Sequence, residues 1–206
     1  MIARLKGPVS KRNPIAPKLR PAGTSAKLLL FLLCVMLGPE SAMTLAATPS
    51  FTVTSPELED GALLPRRHAG ASECGGENIS PALAWSGVPE GTKSFAIVVY
   101  DPDGQKGLGS AHFVAYDIPQ TARGFAEGAG ASASRGFVGG TNTRGVNFYS
   151  GPCPPVGDQP HHYVFSVYAL DLAPGVLKAG LTRDLFQQAV RGHVLAASSI
   201  VLRYAR

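Results

Sequence analysis

The sequence predicts an all-β sandwich with one or two short helices. Three observations favour this class: many short strand-prone runs, long connections rich in glycine and proline, and a single segment with clear helix signals. A doubly wound α/β fold would need several helices between its strands, so we set it aside. No segment repeats at a spacing of about 20 to 50 residues, which argues against a solenoid.

The strand-prone runs of the first half begin with two short ones, at 51–54 and 82–85. The strongest run lies at 94–100 and is apolar on both faces, which is typical of a fully buried strand. His112–Tyr116 predicts a second strand close behind it. The connection between these two strands holds a proline and three glycines, which favour turns.

The second half of the chain opens with a long stretch rich in glycine, serine, alanine and proline. We expect its part at 124–140 to be a surface loop. His161–Leu170 predicts the second strong strand. Thr182 is placed to cap a short helix over 183–190, and 193–206 is a final β-prone run.

The chain divides into a targeting segment at 1–47 and a folded domain at 48–206. Basic residues up to Lys27 precede an apolar run of ten residues and then small, polar residues, the order of a signal peptide with a long basic leader. The apolar run is too short for an ordinary spanning helix. We therefore expect cleavage near Ala47 and export to the periplasm or the medium. An uncleaved membrane anchor is the competing interpretation.

The positive charge of the chain belongs to this targeting segment. The full sequence has 19 Lys and Arg against 14 Asp and Glu, a formal net charge of +5. Seven of the basic residues and one acidic residue precede Ala47, so the remaining chain has 12 against 13, a net charge of −1. A nearly neutral domain gives no basis for nucleic-acid binding.

Cys74 and Cys153 remain after the expected cleavage. An even cysteine count in an exported protein favours a disulfide. It would close a loop of roughly 80 residues and contribute about 4 to 5 kcal/mol on the chain-entropy model. Two separate thiols in neighbouring loops are the alternative. Cysteines so far apart lack the short spacing of paired zinc ligands, and we expect neither a metal nor a cofactor.

Strand geometry predicts a polar pocket. If the first two strong strands pair, Asp101 ends one and His112 begins the other, at the same rim of a sheet. Alternate residues of a strand share a face, so His161 and Tyr163 point one way and His162 the other. These acceptors, donors and small positive charge suit a phosphate or a carboxylate. A proline-rich turn before His161 predicts a rigid wall, which we assign to Gly151, Pro152, Pro154 and Pro155, and we place Pro102 of the DPD turn in the same wall.

Five short motifs also follow one another in a recognisable order. They are Asn78–Trp85 (NISPALAW), Asp101–Asp103 (DPD), Ala111–Val114 (AHFV), Gly151–Pro155 (GPCPP) and His161–Tyr163 (HHY). Together they resemble the phosphatidylethanolamine-binding protein family, in its bacterial Raf kinase inhibitor-like branch. The resemblance extends from about Phe51 over the rest of the chain.

The resemblance implies two antiparallel sheets in a Greek-key-like sandwich, with a small pocket at one edge where family members bind phosphate-like head groups and related anions. It gives the ligand-binding role to Asp101, His112, His161 and Tyr163. Two departures stand out. DPDGQ replaces the more usual DPDAP, and the tryptophans often found beside the histidine of AHFV are missing. We expect a looser loop after Asp103 and a wider or less apolar pocket.

We expect binding rather than catalysis. The sequence has neither a G-x-S-x-G elbow nor an H-E-x-x-H motif. The predicted function is an exported, non-enzymatic binding protein for a small anionic or phosphorylated ligand, with lipid head groups among the candidates. Some relatives inhibit or modulate a kinase or protease, although a Raf-type kinase target conflicts with export. One alternative is a small hydrolase or thiol enzyme using Cys153 and His161. Another is a structural domain whose pocket has no ligand, and the oligomeric state is left open.

Overall fold

The computed structural model describes residues 50–132 and 136–206, so the predicted targeting segment at 1–47 lies outside the described residues. Within these ranges the strands are β1 (Thr52–Thr54), β2 (Leu83–Ser86), β3 (Ser94–Asp101), β4 (Ser110–Pro119), β5 (Gly124–Phe125), β6 (Val138–Gly139), β7 (His161–Leu170) and β8 (Val194–Tyr204). The helices are α1 (Gly104–Gly107) and α2 (Arg183–Ala189), and 3-10 turns cover Arg66–His68 and Ala129–Ala131. No helix in the described ranges is long and apolar enough to span a bilayer.

The strands form two antiparallel sheets. The larger has the order β6-β4-β3-β7-β8, and the smaller has the order β1-β2-β5. The predicted fold class, a two-sheet antiparallel architecture with short helices, is confirmed. Thr182 also caps α2 as expected, because its hydroxyl accepts a hydrogen bond from the backbone N–H of Leu185.

Strand β3 is apolar on both faces because it separates two cores. Phe95, Ile97 and Val99 face a core that includes Trp85 of the smaller sheet. The alternate residues Ala96 and Val98 face a second core that contains Phe186 of α2. With β4 on one side and β7 on the other, β3 holds the centre of the larger sheet and fixes the position of both neighbours.

The segment 124–140 differs from the sequence expectation. Its described residues include β5, β6 and a 3-10 turn, and Phe125 and Phe137 are buried in the first core. The interpretation of this segment as a surface loop is therefore wrong for these residues. Each aromatic ring buries enough apolar surface to hold its short strand against the core, although the surrounding glycines and alanines give no periodic signal.

Candidate functional site

The predicted site residues meet at one end of the larger sheet. Asp101 closes β3 and pairs with Ser110 at the start of β4, while His161 opens β7, the strand on the other side of β3. A cavity of about 140 Å³ opens there. The sequence-predicted residues that line it are Asp101, His112, His161, Tyr163, Pro154 and Pro155.

Asp101 lies at the base of this cavity and is almost fully buried. Its Oδ1 accepts hydrogen bonds from the backbone N–H groups of Asp103 (2.9 Å) and Gly104 (3.0 Å). Its Oδ2 accepts one from Nδ1 of His161 (2.9 Å). The turn after β3 therefore holds the carboxylate through one oxygen and leaves the other for the histidines.

His161 is the hydrogen-bonded partner of Asp101. Burial lowers the pKa of its imidazole, but the hydrogen bond and the negative charge of Asp101 outweigh that effect, with further help from Asp158 and Asp103. The pKa of His161 therefore lies above its ordinary value. Its Nε2 faces Oδ2 of Asp158 at 3.5 Å, and that carboxylate is half exposed. In the protonated imidazole this N–H is a donor that a ligand can reach.

The pKa of His112 shifts in the opposite direction, below its ordinary value. Burial is the main cause of the lowered pKa of its imidazole, and the positive charges of Arg144 and His161 lower this pKa further. The hydrogen bond to Ser150 and the negative charge of Asp101 raise it, but by too little to offset burial. Nδ1 donates to the carbonyl oxygen of Ser150 at 2.6 Å. Nε2 is therefore a lone-pair acceptor in the neutral ring, and it lies 3.9 Å from Oδ2 of Asp101.

Tyr163 packs against both histidines. Its ring meets that of His112 edge-on, with centroids 5.1 Å apart, and stacks with that of His161 at 6.4 Å. Burial, followed by the negative charge of Asp101, raises the pKa of the Tyr163 hydroxyl. The hydroxyl consequently stays protonated and can act as a donor, and Asp101 is one acceptor for its proton. His162 points away from the cavity, as predicted, and its Nδ1 donates to Oδ2 of Asp103.

The predicted wall is divided between the cavity and the structure behind it. Pro154 and Pro155 line the cavity, but Pro102, Gly151 and Pro152 do not. Pro102 is exposed on the turn after β3. Gly151 and Pro152 use their backbone groups to hold the segment 66–79. The N–H of Gly151 donates to Oδ1 of Asn78 (2.7 Å), and the carbonyl of Pro152 accepts from Gly70 (2.9 Å).

Several lining residues were not predicted from the sequence. They are Gly104, Gln105, Ser110, Ala111, Ser150, Thr143 and Arg144, and Cys153, the nucleophile of the thiol-enzyme alternative, also lines the cavity. Asn142 positions the loop that carries Arg144. Its side-chain amide N–H groups donate to the carbonyls of His112 and Phe148. Its Oδ1 accepts from the backbone N–H groups of Arg144 and Val146. The TNTRG sequence contains the relevant signal, an asparagine and an arginine in a turn-rich segment, although it has no distinctive spacing.

The loop after Asp103 has a backbone conformation that proline could not adopt at position 105. Gln105 and Lys106 adopt φ values of 52° and 59°, in the left-handed region, although they belong to α1. Proline fixes φ near −65°, so a DPDAP sequence could not take this backbone conformation. This rim of the cavity therefore has a backbone conformation that a proline at position 105 excludes.

Cys74 and Cys153 lie side by side, with their Cα atoms 5.6 Å apart and their sulfur atoms in contact. This separation is within the normal range for a disulfide. Cys153 also lines the cavity, so a bond to Cys74 would connect the cavity wall to the segment 66–79. Among residues 50–132 and 136–206, no group of three His, Cys, Asp or Glu side chains is arranged to hold a metal ion.

Comparison with known proteins agrees with this architecture. The phosphatidylethanolamine-binding protein model matches residues 54–205. The UPF0098 protein YbcL of Escherichia coli is 45% identical over 130 residues, which are 61% of this chain and 71% of that relative. The UPF0098 protein YbhB of the same organism is 37% identical over 155 residues, 73% of this chain and 98% of YbhB.

Solved structures give the same result. The crystal structure of YbcL, described as a new member of the mammalian PEBP family, has a TM-score of 0.71 and 38% identity, covering 77% of this chain and 99% of YbcL. A putative phosphatidylethanolamine-binding protein homologue from Chlamydia trachomatis has a TM-score of 0.66 and 30% identity, covering 76% of this chain and 98% of the homologue. The chain therefore belongs to the phosphatidylethanolamine-binding protein family.

Proposed function

We propose that this chain is an exported, non-enzymatic binding protein that holds a small, partly protonated oxyanion such as phosphate or a phosphorylated head group. The observation that carries this proposal is the arrangement of two buried histidines around one oxygen of Asp101, with one pKa raised and the other lowered. Such a pair offers a cationic donor and a neutral acceptor within one small cavity.

The donors and acceptors of the cavity define the ligand. The protonated His161 and the Tyr163 hydroxyl can donate to oxyanion oxygens, and Arg144 at the margin adds positive charge. Nε2 of His112 and Oδ2 of Asp101 are acceptors that require a proton from the ligand. A phosphate that keeps one hydroxyl meets both needs, whereas a fully ionised group would place negative charge against Asp101.

The cavity volume limits the ligand to a small group. A volume of about 140 Å³ accommodates a phosphate or carboxylate but not a large molecule. A phosphorylated lipid, metabolite or protein side chain would therefore enter by its anionic group alone. Occupancy by the side chain of a protein partner would make the chain an inhibitor or modulator of that partner, with a protease more compatible with export than a kinase.

Export is part of this proposal, and two observations support it. An apolar run of ten residues follows Lys27 in the sequence. Cys74 and Cys153 have the separation of a disulfide, a bond typical of oxidising compartments. Fractionation of cells that produce the full chain, with N-terminal sequencing of the product, tests this part. Recovery of an uncleaved chain in the cytoplasm would overturn it.

Calorimetry with inorganic phosphate at pH 6 tests the binding function. We expect measurable binding to the wild type and a loss of at least about tenfold in affinity for His161→Ala and His112→Ala, because each removes a ligand contact. His193→Ala is the matched control, since this histidine is exposed and pairs with Asp171 instead. Equal phosphate affinity in all four proteins would refute the site.

The thiol-enzyme alternative keeps one supporting observation, because Cys153 lines the same cavity as His161. A thiolate there would be a nucleophile beside an acid–base group. A disulfide with Cys74 would remove it. Titration of the mature protein with a thiol reagent separates the two cases. We expect no reactive thiol before reduction, and a single fast-reacting thiol would favour the enzyme.

A further inference from the structure

A second cavity lies directly beside the anion site. It has a volume of about 210 Å³, and its lining includes Tyr100, Leu108, Thr141, Thr182 and Arg183. Ala111 and Thr143 line both cavities. The hydroxyl oxygen of Thr143 accepts a hydrogen bond from the N–H of Ala111 at 2.8 Å. The two cavities are therefore neighbours that share this small partition.

Arg183 is held in a defined orientation in the second cavity. Its guanidinium carbon lies 3.9 Å from the centroid of the Tyr100 ring, and its Nη1 donates to Oδ1 of Asp184 at 2.9 Å. The Tyr100 ring is supported by Gly109, where a Cβ atom would collide with it. Stacking on an aromatic ring restricts a guanidinium and reduces the entropy lost when it binds an anion.

Arg183 also keeps unused donors. Within the described part of the chain, neither Nε nor Nη2 of Arg183 has a hydrogen-bond acceptor in range. The hydroxyl of Thr143 accepts from Ala111 and so keeps its own proton for donation. A fixed guanidinium with free N–H groups, next to a hydroxyl donor, is suited to a carboxylate or phosphate.

We propose that the two cavities form one extended site, in which the second binds an additional acidic group of the same ligand. The natural ligand would then be a small molecule with two acidic groups, or a phosphorylated group with a carboxylate nearby. This inference rests on the proposed function, because it requires the first acidic group to occupy the cavity of Asp101 and His161.

Asp184 limits the strength of this second contact. Its carboxylate neutralises part of the Arg183 charge and also lines the cavity. The Asp184 side chain is 86% exposed, so water screens its repulsion of a ligand. We therefore expect Arg183 to add selectivity for a diacid rather than to bind a single anion tightly.

Competition among phosphate probes tests the inference. Methyl phosphate reports on the first cavity alone, and a series of alkanediol bisphosphates of increasing chain length reports on both. We expect one chain length to bind at least about tenfold more tightly than methyl phosphate, because the second contact becomes intramolecular. Arg183→Gln should abolish this gain and leave methyl phosphate unchanged. Asp184→Asn should enlarge the gain.

The control variants separate the possible failures. Arg191→Gln removes an exposed cation without altering the cavity and should keep the gain. His161→Ala should weaken both probes. If no bisphosphate gains over methyl phosphate, or if Arg191→Gln reduces the gain as much as Arg183→Gln, the extended site is overturned and the proposed function stands. If methyl phosphate itself fails to bind the wild type, the proposed function fails.

Discussion

His112 and His161 flank the same oxygen of Asp101, yet their pKa values move in opposite directions. They are almost equally buried, at 9% and 8% exposure. His161 approaches Oδ2 of Asp101 to 2.9 Å through the nitrogen that donates, whereas His112 stays 3.9 Å away and donates to a neutral carbonyl instead. Burial lowers the pKa of both rings, but the hydrogen bond and the negative charge of Asp101 outweigh it only for His161, so burial remains the main cause of the lowered pKa of His112.

Removal of Asp101 should cause the largest loss of stability, because it removes the carboxylate that gives His161 a higher pKa than His112. In Asp101→Ala the two backbone N–H groups at Asp103 and Gly104 lose their acceptor, and His161 is left with burial as its main influence. We expect a loss of about 3 kcal/mol in the free energy of unfolding. Urea denaturation measures this loss.

Asp101→Asn, measured in the same experiment, separates the hydrogen bonds of the Asp101 side chain from the effect of its negative charge. Its side-chain oxygen can still accept from the two N–H groups, so less stability should be lost than in the alanine variant. The pKa of His161, followed by NMR of the imidazole protons, should nevertheless fall below its wild-type value. A wild-type pKa for His161 in Asp101→Asn would contradict the assigned origin of the difference.

Removal of His161 should give a pH-dependent effect on stability. A raised pKa in the folded state means that the folded chain binds the proton more tightly than the unfolded chain. The stability that protonated His161 contributes to the folded state is fully present below pH 6.5, the ordinary pKa of histidine. It is lost as the pH rises through the raised pKa of the folded state. The difference in unfolding free energy between wild type and His161→Gln should therefore shrink above pH 6.5.

Removal of His112 should give the opposite pH dependence. Its pKa is lowered, so the folded state resists protonation and loses stability relative to the unfolded state as the pH falls below 6.5. The wild type should lose stability in this range faster than His112→Gln, whose side chain has no charge to gain. Parallel stability curves for these two proteins between neutral and acidic pH would show that His112 titrates normally.

Asp101 and the three residues around it could be predicted because strand geometry places them. Asp101 closes β3, His112 lies among the first residues of the paired strand β4, close to the turn, and His161 and Tyr163 share a face of β7 by alternation. The proline-rich sequence predicts a wall position for Gly151 and Pro152 as it does for Pro154, but the backbone groups of Gly151 and Pro152 bind the segment 66–79 instead. Composition reports the stiffness of a turn but not which side of it faces the cavity.

The elements that the sequence does not predict lack a periodic pattern of apolar and polar residues. Strands β5 and β6 have two residues each, too few for alternation to appear, and their positions depend on Phe125 and Phe137 in the core. Arg144 lies in a loop that Asn142 organises through four hydrogen bonds. Such contacts arise from residues that are distant in the chain or in irregular turns, so propensity and spacing do not reveal them.

Asp158→Asn should have the smallest effect, a small change in phosphate affinity. It tests the part of the raised pKa of His161 that comes from Asp158. Asp158 lies 3.5 Å from Nε2 of His161, where an oxyanion would bind, and it competes for the same donor. Because this carboxylate is half exposed, we expect phosphate affinity at pH 6 to rise by only about twofold. The gain should vanish at higher pH, since loss of Asp158 also lowers the pKa of His161. Calorimetry at the two pH values measures both changes, and an equal gain at both would mean that Asp158 acts on the ligand without acting through His161.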